Sequence, residues 1–198
     1  MKGLHVSEVI NVTLRVENRI PGWRLHVAQL DLEPGSHDQV LGVALKGTQA
    51  GLLRRFPEGL RADDDAVSVL RETLGCSRCG RDECRPSSER LAERVLAGEE
   101  YERSFPAREF RDILTLKMML PWGALDAGGL RFPLVYRLGE PGETIVEADE
   151  RIDLAGVPLL TDGDRILSSP CTAHDVGLLD RESESVVLVS YTPMSVWR

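Results

Sequence analysis

Residues 85–143 decide the fold of this chain, and they contain RPSSERLAERVLAG at 85–98, PAREFRDILTLKMMLPWGALD at 106–126 and LRFPLVYRLGEPGE at 130–143. The first segment has apolar residues at helical spacing behind Ser87 or Ser88, either of which can cap a helix. The second predicts a helix from Glu109 to Leu120, because apolar side chains recur on neighbouring turns and Pro121 cannot continue the helix. The third predicts a strand followed by a turn.

The rest of the chain extends this alternation of helices and strands. Its apolar residues follow either the two-residue period of strands or helical spacing. Before the central stretch they predict two strands and then two helices, the last capped by Asp65, at residues 10–16, 23–32, 38–55 and 65–74. From Leu130 onward they predict short strands at residues 130–136, 144–146, 165–167 and 186–191. The sequence therefore predicts one α+β domain over residues 1–198, with mixed or antiparallel sheets and helices between them.

Composition restricts the partners of this protein. Its 198 residues carry a net charge of −8, with Lys and Arg scattered among acids. Phosphate contacts need clustered basic side chains, so strong or specific binding to DNA is not expected. Residues 1–5 lack the apolar core of a signal peptide, and no apolar run is long enough to span a bilayer. We therefore expect a cytoplasmic protein without a membrane partner.

Three groups of residues in the central stretch carry a resemblance to a known family. Arg85-Pro86-Ser87-Ser88-Glu89 is the first, Leu120-Pro121 with Gly123 and Asp126 is the second, and Gly142-Glu143 is the third. Together they resemble the aminoacyl-tRNA editing module of the phenylalanyl-tRNA synthetase beta subunit, the B3/B4 domain, in its free-standing form. The resemblance implies an amino-acid pocket between the second helix and the closing strands of the domain.

The resemblance also implies a function. It predicts recognition of an amino-acid-like ligand or of the aminoacyl 3′ end of a tRNA. Because the chain is acidic, we expect any tRNA binding to be weak. The most specific form of this function is trans-editing, the hydrolysis of a mischarged aminoacyl-tRNA. The alternative is a non-catalytic module that binds a small molecule or a protein on the same scaffold. Two positions depart from the family pattern, since Glu109 and Asp112 stand where Asp and Asn are common.

The segment Cys171-Thr172-Ala173-His174-Asp175 has the side chains that ester hydrolysis requires. A histidine beside an aspartate can orient a water or act as a general base near neutral pH. We therefore predict that His174 and Asp175 are catalytic and that Cys171 and Thr172 contact the substrate. The alternative is a polar turn whose Thr and Asp side chains bond to backbone donors.

Glu109 and Asp112 are three residues apart and share a face of the predicted helix. Two carboxylates on that face can bind a substrate amine, and the resemblance places this helix beside the ligand. We therefore predict that both residues bind substrate. The alternative is a solvated helix face on which Arg108 pairs with Asp112.

Three of the four cysteines, Cys76, Cys79 and Cys84, lie within nine residues. The Cys-x-x-Cys spacing lets two thiolates reach one zinc ion, and Cys84 is a third candidate ligand. Cys171 or His174 can complete such a site if the fold brings them there. The alternatives are reactive thiols and inert reduced thiols. No cofactor is required by the predicted function. A site of four thiolates, or of three thiolates and a histidine, is closed, so any zinc here would be structural.

Overall fold

The computed structural model describes residues 15–32, 38–75, 85–101, 104–147, 150–171, 179–180 and 183–197. The helices in this part of the chain are α1 (Asp38–Arg55), α2 (Asp65–Leu74), α3 (Ser87–Leu96) and α4 (Pro106–Met118). The strands are β1 (Val16–Asn18), β2 (Trp23–Asp31), β3 (Trp122–Asp126), β4 (Leu134–Leu138), β5 (Thr144–Glu147), β6 (Glu150–Asp153), β7 (Pro158–Asp162), β8 (Arg165–Ser168) and β9 (Ser185–Pro193).

The strands form two larger sheets and a small hairpin. The four-stranded sheet has the order β1-β4-β7-β8, in which β1 and β4 are parallel and the other pairs are antiparallel. The three-stranded sheet has the order β2-β9-β3 and is antiparallel throughout. Strands β5 and β6 pair only with each other.

The core lies in layers between these sheets and the helices. One face of β9 packs with β2 and β3 against β4, β7 and β8, around Tyr136 and Tyr191. The opposite face of β9 carries Val186 and Leu188, which pack against α4. The far side of α4 packs against α1 and α3. Since β9 is covered on both faces, its sequence is nearly continuously apolar, as expected for a central buried strand.

The predicted α+β class is confirmed, with mixed and antiparallel sheets and helices between them in sequence. Helix α1 has the predicted bounds, and β2 ends one residue before the predicted end. The inward face of β2 includes Trp23, and His26 on the opposite face is exposed. The predicted first strand begins outside the described residues and reaches them at β1. No helix among the described residues is long and apolar enough to cross a membrane.

The predicted caps were wrong for two helices. Asp64 precedes α2 in the cap position, and its carboxylate accepts a hydrogen bond from the Arg61 backbone instead of from the helix. Pro86 occupies the cap position of α3, so Ser87 and Ser88 form its first turn. Helix α4 begins three residues earlier than predicted, at Pro106, because proline is well suited to the first helical position.

Candidate functional site

The segment that leads into the candidate catalytic residues is held against the start of α3. The Ser87 backbone nitrogen donates to the Pro170 carbonyl at 2.8 Å, and the Arg90 guanidinium donates to the Cys171 carbonyl. The hydroxyl oxygen of Ser169 accepts from the Cys171 nitrogen at 3.1 Å. Ser87, from the first group of family-like residues, and Arg90 directly after that group therefore hold the chain immediately before Thr172.

The chain is also anchored after the candidate catalytic residues. The Ser183 hydroxyl donates to Asp126 at 2.6 Å and accepts from the Asp180 nitrogen at 3.1 Å. Asp126 ends β3 and belongs to the second group of family-like residues. Thr172, His174 and Asp175 lie outside the described residues. Their catalytic and substrate-binding roles therefore stay predictions, between two anchors that the structure defines.

Gly123 marks the closest approach between β3 and the strands that follow it. A Cβ atom at this position would lie 2.6 Å from the Ser168 hydroxyl oxygen and 3.6 Å from the Tyr191 hydroxyl. The two hydroxyls are hydrogen-bonded to each other and buried. Burial raises the pKa of Tyr191, and the hydrogen bond between Tyr191 and Ser168 opposes that effect. Only glycine fits here, because the space of a side chain is already filled by this pair.

Cys171 lies in a separate apolar cluster beneath the small hairpin. Its side chain is 1% exposed and packs with Leu154, Val157 and Leu159. It is also close enough to Tyr136 to add to the rise in the pKa of that phenol, which burial dominates. The predicted contact between Cys171 and a substrate stays a prediction, and a buried thiol requires local opening to make it.

The surface between α4 and the three-stranded sheet carries a group of incompletely buried apolar side chains. We call this the α4–sheet surface. Its buried base consists of Ala107, Ala124, Val186 and Leu188. The half-buried side chains around that base are Leu30, Leu32, Phe105, Phe110, Leu114, Trp122 and Leu179. Leu179 directly follows the 172–178 segment that contains the candidate catalytic residues. This surface therefore joins α4, the closing strand β9 and the end of that segment.

Trp122 gives the α4–sheet surface one polar group. Its indole nitrogen is buried and has no hydrogen-bond partner among the residues that the structure describes. Buried N–H groups are nearly always paired with protein, water or ligand. This nitrogen is therefore a candidate donor to a molecule bound on an otherwise apolar surface.

Glu109 is fully buried at the start of α4. One of its carboxylate oxygens accepts a hydrogen bond from the Ser104 nitrogen at 3.0 Å. A carboxylate in the first turns of a helix also interacts favourably with the helix dipole. The contact is a variant of helix capping, so Glu109 stabilises the turn that leads into α4.

Asp112 is buried one turn further along α4. It accepts hydrogen bonds from the Arg111 guanidinium at 2.8 and 2.6 Å and from the Tyr101 hydroxyl at 2.5 Å. The alternative of a solvated face on which Arg108 pairs with Asp112 was wrong, since Asp112 is only 5% exposed and pairs with Arg111. Burial and the Asp112 carboxylate together raise the pKa of Tyr101, which keeps the phenol protonated.

The two carboxylates of α4 are three residues apart, and each accepts a hydrogen bond from the connection between α3 and α4, while Asp112 also pairs with Arg111 on α4 itself. The α4–sheet surface contains Ala107, Phe110 and Leu114, which occupy a different side of the helix. The predicted substrate contacts of Glu109 and Asp112 stay predictions. A ligand on the α4–sheet surface would reach them only if the turn around Ser104 rearranged.

The candidate zinc ligands Cys76, Cys79 and Cys84 lie outside the described residues. Within the described ranges, no group of three or more metal-ligating side chains is present. The chain on both sides of the cysteines is held by Glu89, which is 1% exposed and accepts from Arg71 and Arg85. These hydrogen bonds lower the pKa of Glu89 although desolvation acts in the opposite direction.

Glu143, in the third group of family-like residues, has a structural role. Its carboxylate accepts from the Arg137 guanidinium at 2.8 and 2.6 Å and from the Glu140 nitrogen at 2.6 Å. The Arg137 hydrogen bonds lower the pKa of Glu143 to about 2, against a smaller effect of desolvation. Gly142 has a φ of 89°, a conformation that glycine adopts without strain. The pair closes the turn between β4 and β5.

No family model matches this chain, and no curated protein matches it.

The residues that sequence reasoning missed are Tyr101, Trp122 and Leu179. Tyr101 carries a signal, since it is an aromatic residue within a charged connection between two helices. Trp122 directly follows Pro121, which ends the predicted helix, and its strand is recognisable only from its pairing with β9.

Proposed function

We propose that this protein recognises a small amino-acid-like ligand, as a free molecule or as the aminoacyl 3′ end of a tRNA, on the α4–sheet surface. The observation that carries the proposal is the convergence of α4, β3 and β9 on a half-buried apolar surface that ends at Leu179. The resemblance to the synthetase editing module implies an amino-acid pocket between this helix and the closing strands. The specific form of the proposal is hydrolysis of a mischarged aminoacyl-tRNA, with His174 and Asp175 positioning the water.

The chemistry of the surface supports an apolar or aromatic side chain on the ligand. Small-molecule sites combine a mainly apolar lining with a few polar groups that set orientation. Here Phe110, Leu114 and Leu179 would cover the side chain of the ligand, and the Trp122 indole would donate to a polar atom. The anchors at Cys171 and Ser183 hold both ends of the segment that would bring His174 to the ester.

A non-catalytic binding module is the second candidate function. The observation that favours it is the engagement of the α4 carboxylates by the protein itself. Both oxygens of Asp112 accept hydrogen bonds from Arg111 or Tyr101, and Glu109 accepts from Ser104. A buried carboxylate that already has such partners is costly to redirect toward a ligand amine. In this function the surface binds its ligand and no ester is cleaved.

Deacylation assays on a panel of mischarged aminoacyl-tRNAs test the proposal. We expect hydrolysis of at least one ester with an apolar acyl group. The His174→Ala variant should hydrolyse it roughly 10²–10⁴-fold more slowly, which is the contribution of a well-placed general base. Leu114→Ala is expected to raise KM, because it removes apolar contact area from the α4–sheet surface.

Val43→Ala is the matched control, since Val43 is 70% exposed on α1 and lies outside that surface. It should behave like the unmodified protein. Binding of the aminoacyl-tRNAs without hydrolysis, lost in Leu114→Ala, would establish the binding module. If the protein neither binds nor hydrolyses any member of the panel, both functions are excluded.

A further inference from the structure

A cleft of about 480 Å³ lies between α1 and the end of α3, on the side of α4 that carries Asp112. One wall is a single stripe of α1 that includes Leu45, Lys46 and Gln49. The opposite wall is formed by Val95 at the end of α3 and by Glu100 and Tyr101 after it. The volume is in the range of small-molecule sites, roughly 300–1,000 Å³.

The floor and the back of the cleft are rigid and largely apolar. Leu45 and Val95 are 2% and 8% exposed, and both belong to the core between α1, α3 and α4. The Tyr101 hydroxyl donates to Asp112, which is itself paired with Arg111. Its ring is therefore held in place as a wall of the cleft.

The rim carries opposite charges on opposite walls. Glu99 is neutralised by Arg94 at 2.7 Å. Lys46 on α1 and Glu100 on the facing wall have no ion-pair partner in the ranges that the structure describes. An ammonium and a carboxylate on one ligand would complement these two side chains, while its apolar part would cover Leu45 and Val95.

We propose that this cleft binds a small zwitterion with an apolar body, such as an apolar amino acid or dipeptide. The ligand carboxylate pairs with Lys46, the ligand ammonium pairs with Glu100, and the apolar part lies against Leu45, Val95 and the Tyr101 ring. This site is separate from the α4–sheet surface and does not rest on the function proposed there.

Titration of the ¹⁵N-labelled protein with L-phenylalanine and with leucyl-leucine, followed by NMR, tests the proposal. Chemical-shift changes are expected at α1 and around Tyr101, whether or not the α4–sheet surface also responds. Lys46→Gln and Glu100→Gln should each weaken binding by roughly two- to fivefold, the range of exposed ion pairs. N-acetyl-phenylalanine amide, which lacks both charges, should bind roughly 4- to 25-fold more weakly than L-phenylalanine, the product of two such losses.

Lys117→Gln and Glu58→Gln are matched controls, because both residues are exposed and lie outside the cleft. Both control variants should bind L-phenylalanine and leucyl-leucine with the affinity of the unmodified protein. Shift changes that leave α1 and Tyr101 unaffected, equal binding of the uncharged amide, or unchanged affinity in both cleft variants would each overturn the assignment. The spectra also report whether every variant is folded.

Discussion

Gly123 is a position at which a close contact excludes a larger residue. It lies where β3 crosses the buried Ser168–Tyr191 hydrogen bond, and a single added carbon would fall 2.6 Å from the Ser168 oxygen. Gly139 is limited in the same way, since its Cβ would fall 2.0 Å from the Leu154 carbonyl oxygen. Both glycines are set by contacts with residues distant in sequence and not by their own backbone angles.

Gly123→Ala is expected to lower the free energy of unfolding by roughly 1–3 kcal/mol, the usual cost of overpacking a core. Urea denaturation measures the change. Gly47→Ala is the matched control, because a Cβ on that α1 residue meets no atom within 4 Å. In a helix interior it should stabilise by roughly 0.5–1 kcal/mol. If Gly123→Ala lowers the free energy of unfolding as much in a Ser168→Ala protein as in the unmodified one, the contact with the Ser168 hydroxyl is not the cause of the loss.

The ion pair of Glu143 gives a pH-dependent prediction. Its pKa in the folded protein is about 2, below its ordinary value of 4.5. The folded state therefore gains stability that is complete above pH 4.5 and disappears as the pH falls towards 2. Glu143→Gln should be less stable than the unmodified protein between pH 5 and 7 and equally stable near pH 2. Urea unfolding at several pH values checks this.

Glu58→Gln serves as the control for that series, since Glu58 is exposed and forms no ion pair with a described residue. Its unfolding curve should follow that of the unmodified protein at every pH. A constant difference between Glu143→Gln and the unmodified protein down to pH 2 would show that the carboxylate charge is not what stabilises the turn.

Among the elements, α4 has the most varied surroundings. Ala107 and Leu114 pack towards the sheet, whereas Ile113 and Leu116 pack towards α1 and α3. Asp112 faces the connection between α3 and α4, where it binds Tyr101. Such a helix is covered on nearly all sides, which is why it contains buried charged residues as well as apolar ones. The ligand sites proposed here lie on its two sides.

The elements differ in how far the sequence predicts them. Helices and β2 could be predicted because spacing and turn residues are local signals. Strand β3 could not, since Pro121-Trp122-Gly123 is also a typical helix stop and pairing with β9 is a distant interaction. The pairing of Asp112 with Tyr101 was missed for the same reason, because spacing along α4 says nothing about the preceding connection.

The cysteine segment between α2 and α3 gives a prediction at the scale of elements. A zinc site at Cys76, Cys79 and Cys84 predicts about one zinc ion per chain in protein purified without chelators. Chelation should leave α2 and α3 folded, because Glu89 binds Arg71 and Arg85 independently of metal. Elemental analysis and hydrogen exchange measure both. Protein without metal and with three freely titrating thiols would show ordinary cysteines.

At the scale of the whole molecule, the net charge of −8 governs contact with nucleic acid. We expect tRNA binding to be weak and to fade quickly with salt, because any contact must come from a local basic patch within a repulsive field. Filter binding at low and moderate salt measures this, with a generic DNA duplex as the comparison. Tight binding to either nucleic acid that is insensitive to salt would contradict the expectation.

The central position of β9 has a consequence for the nascent chain. Trp23 pairs with Pro193, so β2, the first strand of the three-stranded sheet in sequence, has no partner strand until β9, the last, has been translated. At typical synthesis rates this delay is roughly ten to thirty seconds. During that time β2 lacks the strand with which each of its residues pairs. The three-stranded sheet can therefore form only after β9 has been translated, however early the helices fold.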